Sequence, residues 1–529
     1  MKRRDFLKAA GAAAVLRAAP AADATIELRP REPGPTIDPM LHGHFIEHLG
    51  GVIYDGIWVG ADSKIPHVEG IRRQFVDDMK RLRAPVLRWP GGCFADGYHW
   101  RDGIGPVSWR PRTYNFWQPS LPRGVDVTEI NHFGTHEFIR LCELVGAAPY
   151  IAANVGSGTP REFYDWLMYS NAPPGTVRQA EEREAHGRRE PFNVRFWGIG
   201  NESWGCGGHF KPQEYAAEYR RYVAQLPRYG DLYLIAAGPS GGDLNWTRGF
   251  FEAMPRGLIE GRRASLHGWA LHYYTHVRGA ATQAAEFNRQ EWYGVLEAGA
   301  RMERLIADHW KLMGEFDKNH RVKLVVDEWG TWYPAGTEIG PRYLFSQTIT
   351  LRDALHSALT LDIFQRHADK VSMANIAQTI NCIASLFLAE GDRYVRTPMF
   401  HVFEMYLPHQ GGRLIPAAVQ AREIEFAGAG GAQKLFGLAG SASLKEDRVT
   451  LTLVNPSLDG PLELGIQLAG ATAREARATV LTHADMRATN TFAAPDQVAP
   501  KPLPVNVSGS GARLRLPGQS VAALEFRIG

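Results

Sequence analysis

Between about residue 70 and residue 405 the sequence alternates two apolar periods, and this alternation limits the available folds more than any other feature. Stretches with apolar residues three and four apart, as a helix face requires, take turns with short apolar runs of strand length. Gln74 to Arg83 sets Phe75, Met79 and Leu82 on one helical face, and Pro85 to Trp89 follows as a strand closed by Gly91-Gly92. The same reading predicts strands over Ala148 to Asn154, Asn193 to Ile199, Leu232 to Ala237, Leu266 to Tyr273, Lys323 to Asp327 and Val371 to Ala374. It predicts helices over Phe133 to Val145, Pro212 to Leu226, Trp292 to Phe316 (one long amphipathic helix), Thr350 to Ala368 and Thr397 to Met405. With a first strand at the HGHF segment near His42, roughly eight strand–helix units result, which fits an α/β fold of the (β/α)8 TIM-barrel type. A doubly wound open sheet would also alternate, but no G-x-G-x-x-G follows a first strand. Glu181 to Glu190 reads as a charged, solvent-facing insertion.

From about residue 410 helical periodicity stops. Short β-branched runs such as Val449 to Val454, Leu462 to Leu468 and Val521 to Ile528 replace it, punctuated by Gly, Pro and Asn. That is the pattern of an all-β sandwich of the jelly-roll kind. The early run Thr25 to Arg29 also has strand character and is expected to cross over and join the sandwich. The expected division is residues 25–36 as that strand segment, 37–408 as the barrel and 409–529 as the sandwich, a size that suits one large and one small domain.

Ahead of this lies MKRRDFLKAAGAAAVLRAAPAADA, in which Arg3-Arg4 precedes a short Ala-rich run and an A-x-A site at Ala22-Asp23-Ala24. It resembles a twin-arginine export signal over residues 1–24, so a periplasmic or extracellular protein is expected. No later run is long and apolar enough for a membrane helix. The formal net charge of +3 and the lack of a Lys/Arg block argue against nucleic acid or anionic membrane as partner. The four cysteines, Cys93, Cys142, Cys206 and Cys382, show no metal-ligand spacing and read mostly as small buried hydrophobes.

Two predicted strand ends carry candidate chemistry. Asn201-Glu202 follows the strand in FWGIGNESWG, and Glu328 follows the strand in LVVDEWGTWY. The carboxyl ends of barrel strands form the catalytic face, so the two glutamates are expected in one cleft. A lone glutamate after a strand is ordinarily a salt-bridge or capping residue. Two of them, each set among Gly and Trp after an apolar strand, fit glycoside hydrolysis instead. One protonated carboxyl releases the leaving oxygen, and one ionised carboxylate attacks the anomeric carbon.

The segments IDPMLHGHFIEHLG (37–50), VLRWPGGCFADGYHWRDGIGP (86–106), GTHEFIRLCELVGAAPYIAANVGSG (134–158), FWGIGNESWGCGG (196–208) and VVDEWGTWY (325–333) together resemble glycoside hydrolase family 51, the α-L-arabinofuranosidases, over nearly the whole mature chain. The resemblance implies a retaining mechanism with Glu202 as general acid/base and Glu328 as nucleophile. It further implies that Glu47 binds furanose hydroxyls, that Arg88 buttresses the nucleophile, and that Asn201 bonds the sugar 2-hydroxyl. His272 and Tyr274 would orient the carboxylates, Gln378 would serve a subsite, and Trp332 would wall the pocket. Many relatives carry Asn after PGG, where this chain has Cys93, which exchanges an amide for a weakly polar thiol at a sugar contact. Cys93 and Cys206 would both lie on catalytic-face loops, either as separate thiols or joined after export.

The expected activity is removal of terminal non-reducing α-L-arabinofuranosyl residues from hemicellulose, pectin or their oligosaccharides. A β-1,4-glucanase or β-xylosidase would use the same pair, and a non-catalytic carbohydrate-binding protein would keep only the cleft. Two carboxylates suffice for the reaction, so no cofactor or metal is expected. The resemblance also implies a homo-oligomer.

Overall fold

A computed structural model describes residues 22–529 apart from 126–127, 228, 262–264, 276–281 and 429–430. The stretch read as an export signal therefore lies almost wholly outside the described residues. One strand, β1 (Ala24–Leu28), precedes eight that form a closed barrel: β2 (Gly43–Phe45), β3 (Val86–Trp89), β4 (Ala148–Ala153), β5 (Phe196–Ile199), β6 (Tyr233–Ala236), β7 (Gly268–Thr275), β8 (Lys323–Thr331) and β9 (Val371–Ile376). Each barrel strand pairs in parallel with the next, and β9 pairs back onto β2.

Strand alternation explains the two layers of core. Val86, Tyr150, Phe196, Ile235, Ala270, Val325 and Met373 point inward and fill the barrel. Their neighbours Leu87, Trp89, Ile151, Trp197, Leu234, Trp269, Leu324 and Val326 point outward into the larger cluster beneath the helices. Strand β2 contributes Gly43 to the interior, where an added Cβ would stand 2.2 Å from Asn375 Oδ1 and 2.6 Å from Val86 Cγ1.

The outer ring includes α1 (Arg73–Arg81), α2 (Thr135–Val145), α3 (Pro160–Asn171), α4 (Arg178–Ala185), α5 (Pro212–Val223), α6 (Leu244–Ala253), α7 (Arg289–Ala300), α8 (Met302–Met313), α9 (Leu351–Arg366) and α10 (Pro398–Met405). Two of these correct the sequence reading. The long helix expected over 292–316 is two helices that break at Arg301. The charged stretch at 181–190 is half helix, and Arg183 within it is fully buried. Its guanidinium donates to the carbonyls of Tyr169, Ala172 and Arg189 at 2.6, 2.9 and 2.8 Å, which satisfies a charge that composition alone assigns to solvent. Among the described residues no helix is long and apolar enough to cross a membrane.

The C-terminal part stacks a five-stranded sheet on a six-stranded one around a second apolar cluster. Strand β1 lies inside the five-stranded sheet, antiparallel to Ala417–Ala421 and parallel to Leu462–Leu468. Helix α9, buried along nearly its whole length, wedges between barrel and sandwich. There Asp362 Oδ1 accepts the hydroxyls of Ser441 and Thr452 at 2.8 and 2.6 Å.

Candidate active site

The carboxyl ends of the barrel strands carry a dense polar cluster. Strand β5 is short and wholly buried, and it stops at Gly200, whose φ of 84° turns the chain in a way a side chain would resist. Asn201 and Glu202 follow, and Glu202 itself sits at φ 39°, a strained setting costing about 1 kcal/mol or more. The turn is held from below by Asp96, a buried residue of the loop after β3. Its Oδ2 accepts the Asn201 N–H at 3.2 Å, and its Oδ1 accepts those of Val155 and Gly156 at 2.9 Å each. The chain then returns so closely that a Cβ on Gly207 would fall 1.8 Å from the Asn201 carbonyl oxygen.

Glu328 lies within β8, not after it, because the strand runs on to Thr331. The pairing with β7 slips between Val325 and Glu328. Such an irregularity re-aims side chains, and here Asp327 and Glu328 both face inward. Asp327 accepts the Tyr150 hydroxyl at 2.8 Å inside the barrel, while Trp329 resumes the outward direction against Phe364 and Phe403.

The two glutamates meet around His272 on β7. Its Nδ1 stands 3.1 Å from Glu202 Oε1 and 3.4 Å from Glu328 Oε2, and all three ligating atoms lie within 4.8 Å of one another. Their surroundings are unequal. Glu328 is 4% exposed and takes Arg88 Nη1 at 2.7 Å on one oxygen and the Tyr274 hydroxyl at 2.5 Å on the other. Burial pushes its carboxyl up, but His272, Arg88 and Tyr274 outweigh that and hold it below the ordinary glutamate value. Burial likewise pulls the His272 imidazole down, and the carboxylates of Glu328 and Glu202 reverse the direction to a net rise. The Glu202 side chain is 20% exposed and faces open space.

Arg88 joins the cluster together. Its Nη2 donates to Asn201 Oδ1 at 2.7 Å, and its guanidinium stacks 4.4 Å from the centre of the Phe45 ring. Gly91 and Gly92 let the backbone run along this cluster. A Cβ on Gly91 would lie 2.6 Å from Glu47 Cγ, and one on Gly92 3.0 Å from Glu328 Oε1. Glu47 is buried opposite. Its Oε1 accepts the N–H groups of Gly92, Phe94 and Trp117 at 3.0, 3.0 and 3.1 Å, and its Oε2 accepts Gln378 Nε2 at 2.8 Å. Burial and the nearby Glu328 charge raise its carboxyl to about 7 against those donors. Cys93 and Cys206 are joined in a disulfide, so neither offers an S–H, and their sulfurs lie 3.8 and 3.6 Å from Glu202 Oε2. Trp332 stands edge-on to Tyr274 at 5.1 Å.

A buried, positively braced carboxylate within 4.8 Å of a more open one can divide nucleophilic and acid–base work. Known proteins share this arrangement's sequence. The family descriptions "Alpha-L-arabinofuranosidase 1 domain" and "Alpha-L-arabinofuranosidase C-terminal domain" match residues 78–291 and 327–520. An "Intracellular exo-alpha-L-arabinofuranosidase" of Bacteroides ovatus is 35% identical, with 100% of both chains covered. The chain belongs to glycoside hydrolase family 51. A family 51 arabinofuranosidase of Xanthomonas axonopodis pv. citri superposes with a TM-score of 0.88 at 36% identity, covering 96% of this chain and all of that one. An arabinose complex of the Thermotoga maritima α-L-arabinofuranosidase gives 0.81 at 28% identity, covering 95% of this chain and 99% of that one.

Membership in family 51 makes the chain a glycoside hydrolase, and it overturns one expectation. The relatives from Bacteroides ovatus, Streptomyces lividans and Bifidobacterium longum are all named intracellular, so the reading of an exported enzyme does not stand. The Bacteroides relative aligns over the whole chain, first residues included. An Arg-Arg pair before a short Ala run is an address read by a receptor, and no packing or hydrogen-bonding demand ties those residues to export. All ten residues singled out in the sequence lie in or beside this one cluster. Asp96 and Trp117 escaped notice there, since both sit in irregular loops whose partners are distant in sequence.

Proposed function

We propose that this family 51 enzyme is an exo-acting, retaining α-L-arabinofuranosidase, with Glu328 as nucleophile and Glu202 as general acid/base. The observation that carries the reading is the pair of unlike carboxyls that meet on one imidazole, Glu202 Oε1 at 3.1 Å and Glu328 Oε2 at 3.4 Å from His272 Nδ1, a close pairing of the kind retaining glycosidases use. Glu328, braced by Arg88 and Tyr274, attacks the anomeric carbon while Glu202 gives its proton to the departing glycosidic oxygen. Glu202 then takes a proton from the incoming water, which displaces Glu328 and restores the starting configuration. Glu47 and Gln378 at the buried end, with the Asn201 amide, hold the hydroxyls of a single terminal sugar. The substrate class is terminal non-reducing arabinofuranosyl groups of hemicellulose, pectin or their oligosaccharides, in keeping with the exo-arabinofuranosidase names of relatives at 35% and 30% identity.

The two glutamates are told apart by azide rescue. Glu328→Ala should nearly abolish turnover, and azide should then give the β-azide by one direct displacement. Glu202→Ala should lose about 10²–10⁴-fold on poor leaving groups. Aryl arabinofuranosides should still form the covalent intermediate, which azide intercepts to give the α-azide. Exchanged anomers would exchange the roles, and no release from any α-L-arabinofuranoside would end the proposal.

A further inference from the structure

Cys93 and Cys206 close a bridge beside Glu202, and the chemistry proposed above uses neither. Cys93 opens the turn after β3, and Cys206 lies four residues beyond Glu202 in the turn after β5. Both are half-buried, and Glu202 beside them lines an open cleft of about 1030 Å³, so ions and small reductants reach this corner. Three relatives are named intracellular, and the interior of most cells keeps thiols reduced, so the dithiol form of this pair counts as much as the bridged one.

The two sulfurs stand 3.8 and 3.6 Å from Glu202 Oε2. Around a tetrahedral zinc ion, with Zn–S near 2.3 Å and Zn–O near 2.0 Å, a sulfur and an oxygen ligand lie about 3.5 Å apart and two sulfurs about 3.8 Å. The oxygen is thus already close to ligand spacing from both sulfurs. The sulfurs must part, which side-chain rotation allows across Cα atoms 5.6 Å apart. Two thiolates select zinc over magnesium or calcium, which take oxygen ligands. A second group, Glu202, His272 and Glu328, has comparable spacing. It is less suited, because Arg88 and the Tyr274 hydroxyl already engage both oxygens of Glu328, at 2.7 and 2.5 Å. Cys142 and Cys382 are buried, and burial pushes both thiols up, away from the thiolate that a metal needs. We propose that the reduced enzyme holds one zinc ion on Cys93, Cys206 and Glu202, with water in the fourth position, and that the ion switches hydrolysis off by engaging the carboxyl that moves the proton. The bridge, when formed, withdraws both thiolates and leaves Glu202 to the sugar. This rests on the reading of Glu202 as general acid/base and adds a control on it.

The test titrates zinc chloride into untreated protein and into protein reduced with a water-soluble phosphine. One phosphine and one water open the bridge, giving phosphine oxide and two thiols, and zinc then displaces about two protons from them. Binding is read by calorimetry and, with cobalt in place of zinc, by the sulfur-to-cobalt charge-transfer band. Hydrolysis of an arabinofuranosyl oligosaccharide is followed in the same samples. The reduced protein should take up about one zinc ion per chain and lose about 10²-fold or more in kcat, the loss expected when general acid–base help is removed. A chelator should restore the rate, which an unfolded chain would not allow. The untreated protein should show neither the band nor the loss, and Cys206→Ser should show no band in either state. No band from the reduced protein, a band that survives in Cys206→Ser, or equal zinc inhibition with the bridge intact would each overturn the inference. Zinc uptake by the reduced protein that leaves its rate unchanged would overturn it too. Inactivity on every arabinofuranoside before zinc is added would instead remove the parent reading, while the band still reports the site.

Discussion

Replacing Arg88 by methionine keeps the length and apolar bulk of the side chain and removes its charge. Arg88 is 1% exposed and stands against two buried carboxylates, Glu328 at 2.7 Å and Asp327 at 3.8 Å. Removing one partner of a buried ion pair typically costs about 3–5 kcal/mol, because the other charge is left without compensation. The wild-type pairing holds the Glu328 carboxyl below its ordinary value of 4.5. Stability drawn from it is therefore fully present above that value and fades as pH falls through the lower folded one. The difference between wild type and Arg88→Met should be greatest near neutral pH and shrink on acidification. In kinetics, the variant's acid limb of kcat/KM should move to higher pH, since Glu328 then ionises less readily. Guanidinium unfolding followed by tryptophan fluorescence at pH 7 and pH 4, with initial rates on an aryl arabinofuranoside across the same range, measures both. An equal unfolding midpoint at pH 7 together with an unmoved acid limb would falsify the counter-charge role.

Two further outcomes follow from the same cluster. Glu47 is raised to about 7, so its contribution is fully present below the unfolded value of 4.5 and is lost as pH rises through about 7. Glu47→Gln should flatten the fall in unfolding midpoint between pH 5.5 and 8, and an unchanged slope would refute the assignment. Reducing the Cys93–Cys206 bridge, which joins residues 113 positions apart, should lower stability by about 2–4 kcal/mol, read as the shift in midpoint with and without reductant.

The barrel was legible because its strands and helices must bury opposite faces at different periods, and Val86, Val325 and their outward neighbours keep that rhythm. Glu202 was legible for the same reason, as an apolar strand ending in Gly200-Asn201 announces a turn at the catalytic face. The slip in β8 was not, because KLVVDEWGT reads as a strand stopped by its acids. Partners far away in sequence, Tyr150 and Asn375 for Asp327 and Arg88 and Tyr274 for Glu328, let the two acids remain in the strand. Arg183 and Asp96 failed similarly, since their burial depends on backbone groups that periodicity does not report. The break at Arg301 is marked only by Gly299 two residues before it, a residue helices also tolerate, and the apolar stripe continues across it.

Strand β1 bears on how the molecule is made. It leaves the ribosome ahead of the barrel, yet it completes a sheet whose other members come after the entire barrel. Asp23 and Glu463, hydrogen-bonded neighbours at its entrance, are 440 positions apart. Chains fold during synthesis from the N-terminal side, and distant pairings close slowly. The barrel can therefore assemble around its own local strand–helix units while β1 waits unpaired, and the sandwich closes only after the barrel strands have been made. An edge left waiting that long is open to a neighbouring nascent chain, so crowded polysomes are where this protein is most exposed to exchanging strands between copies.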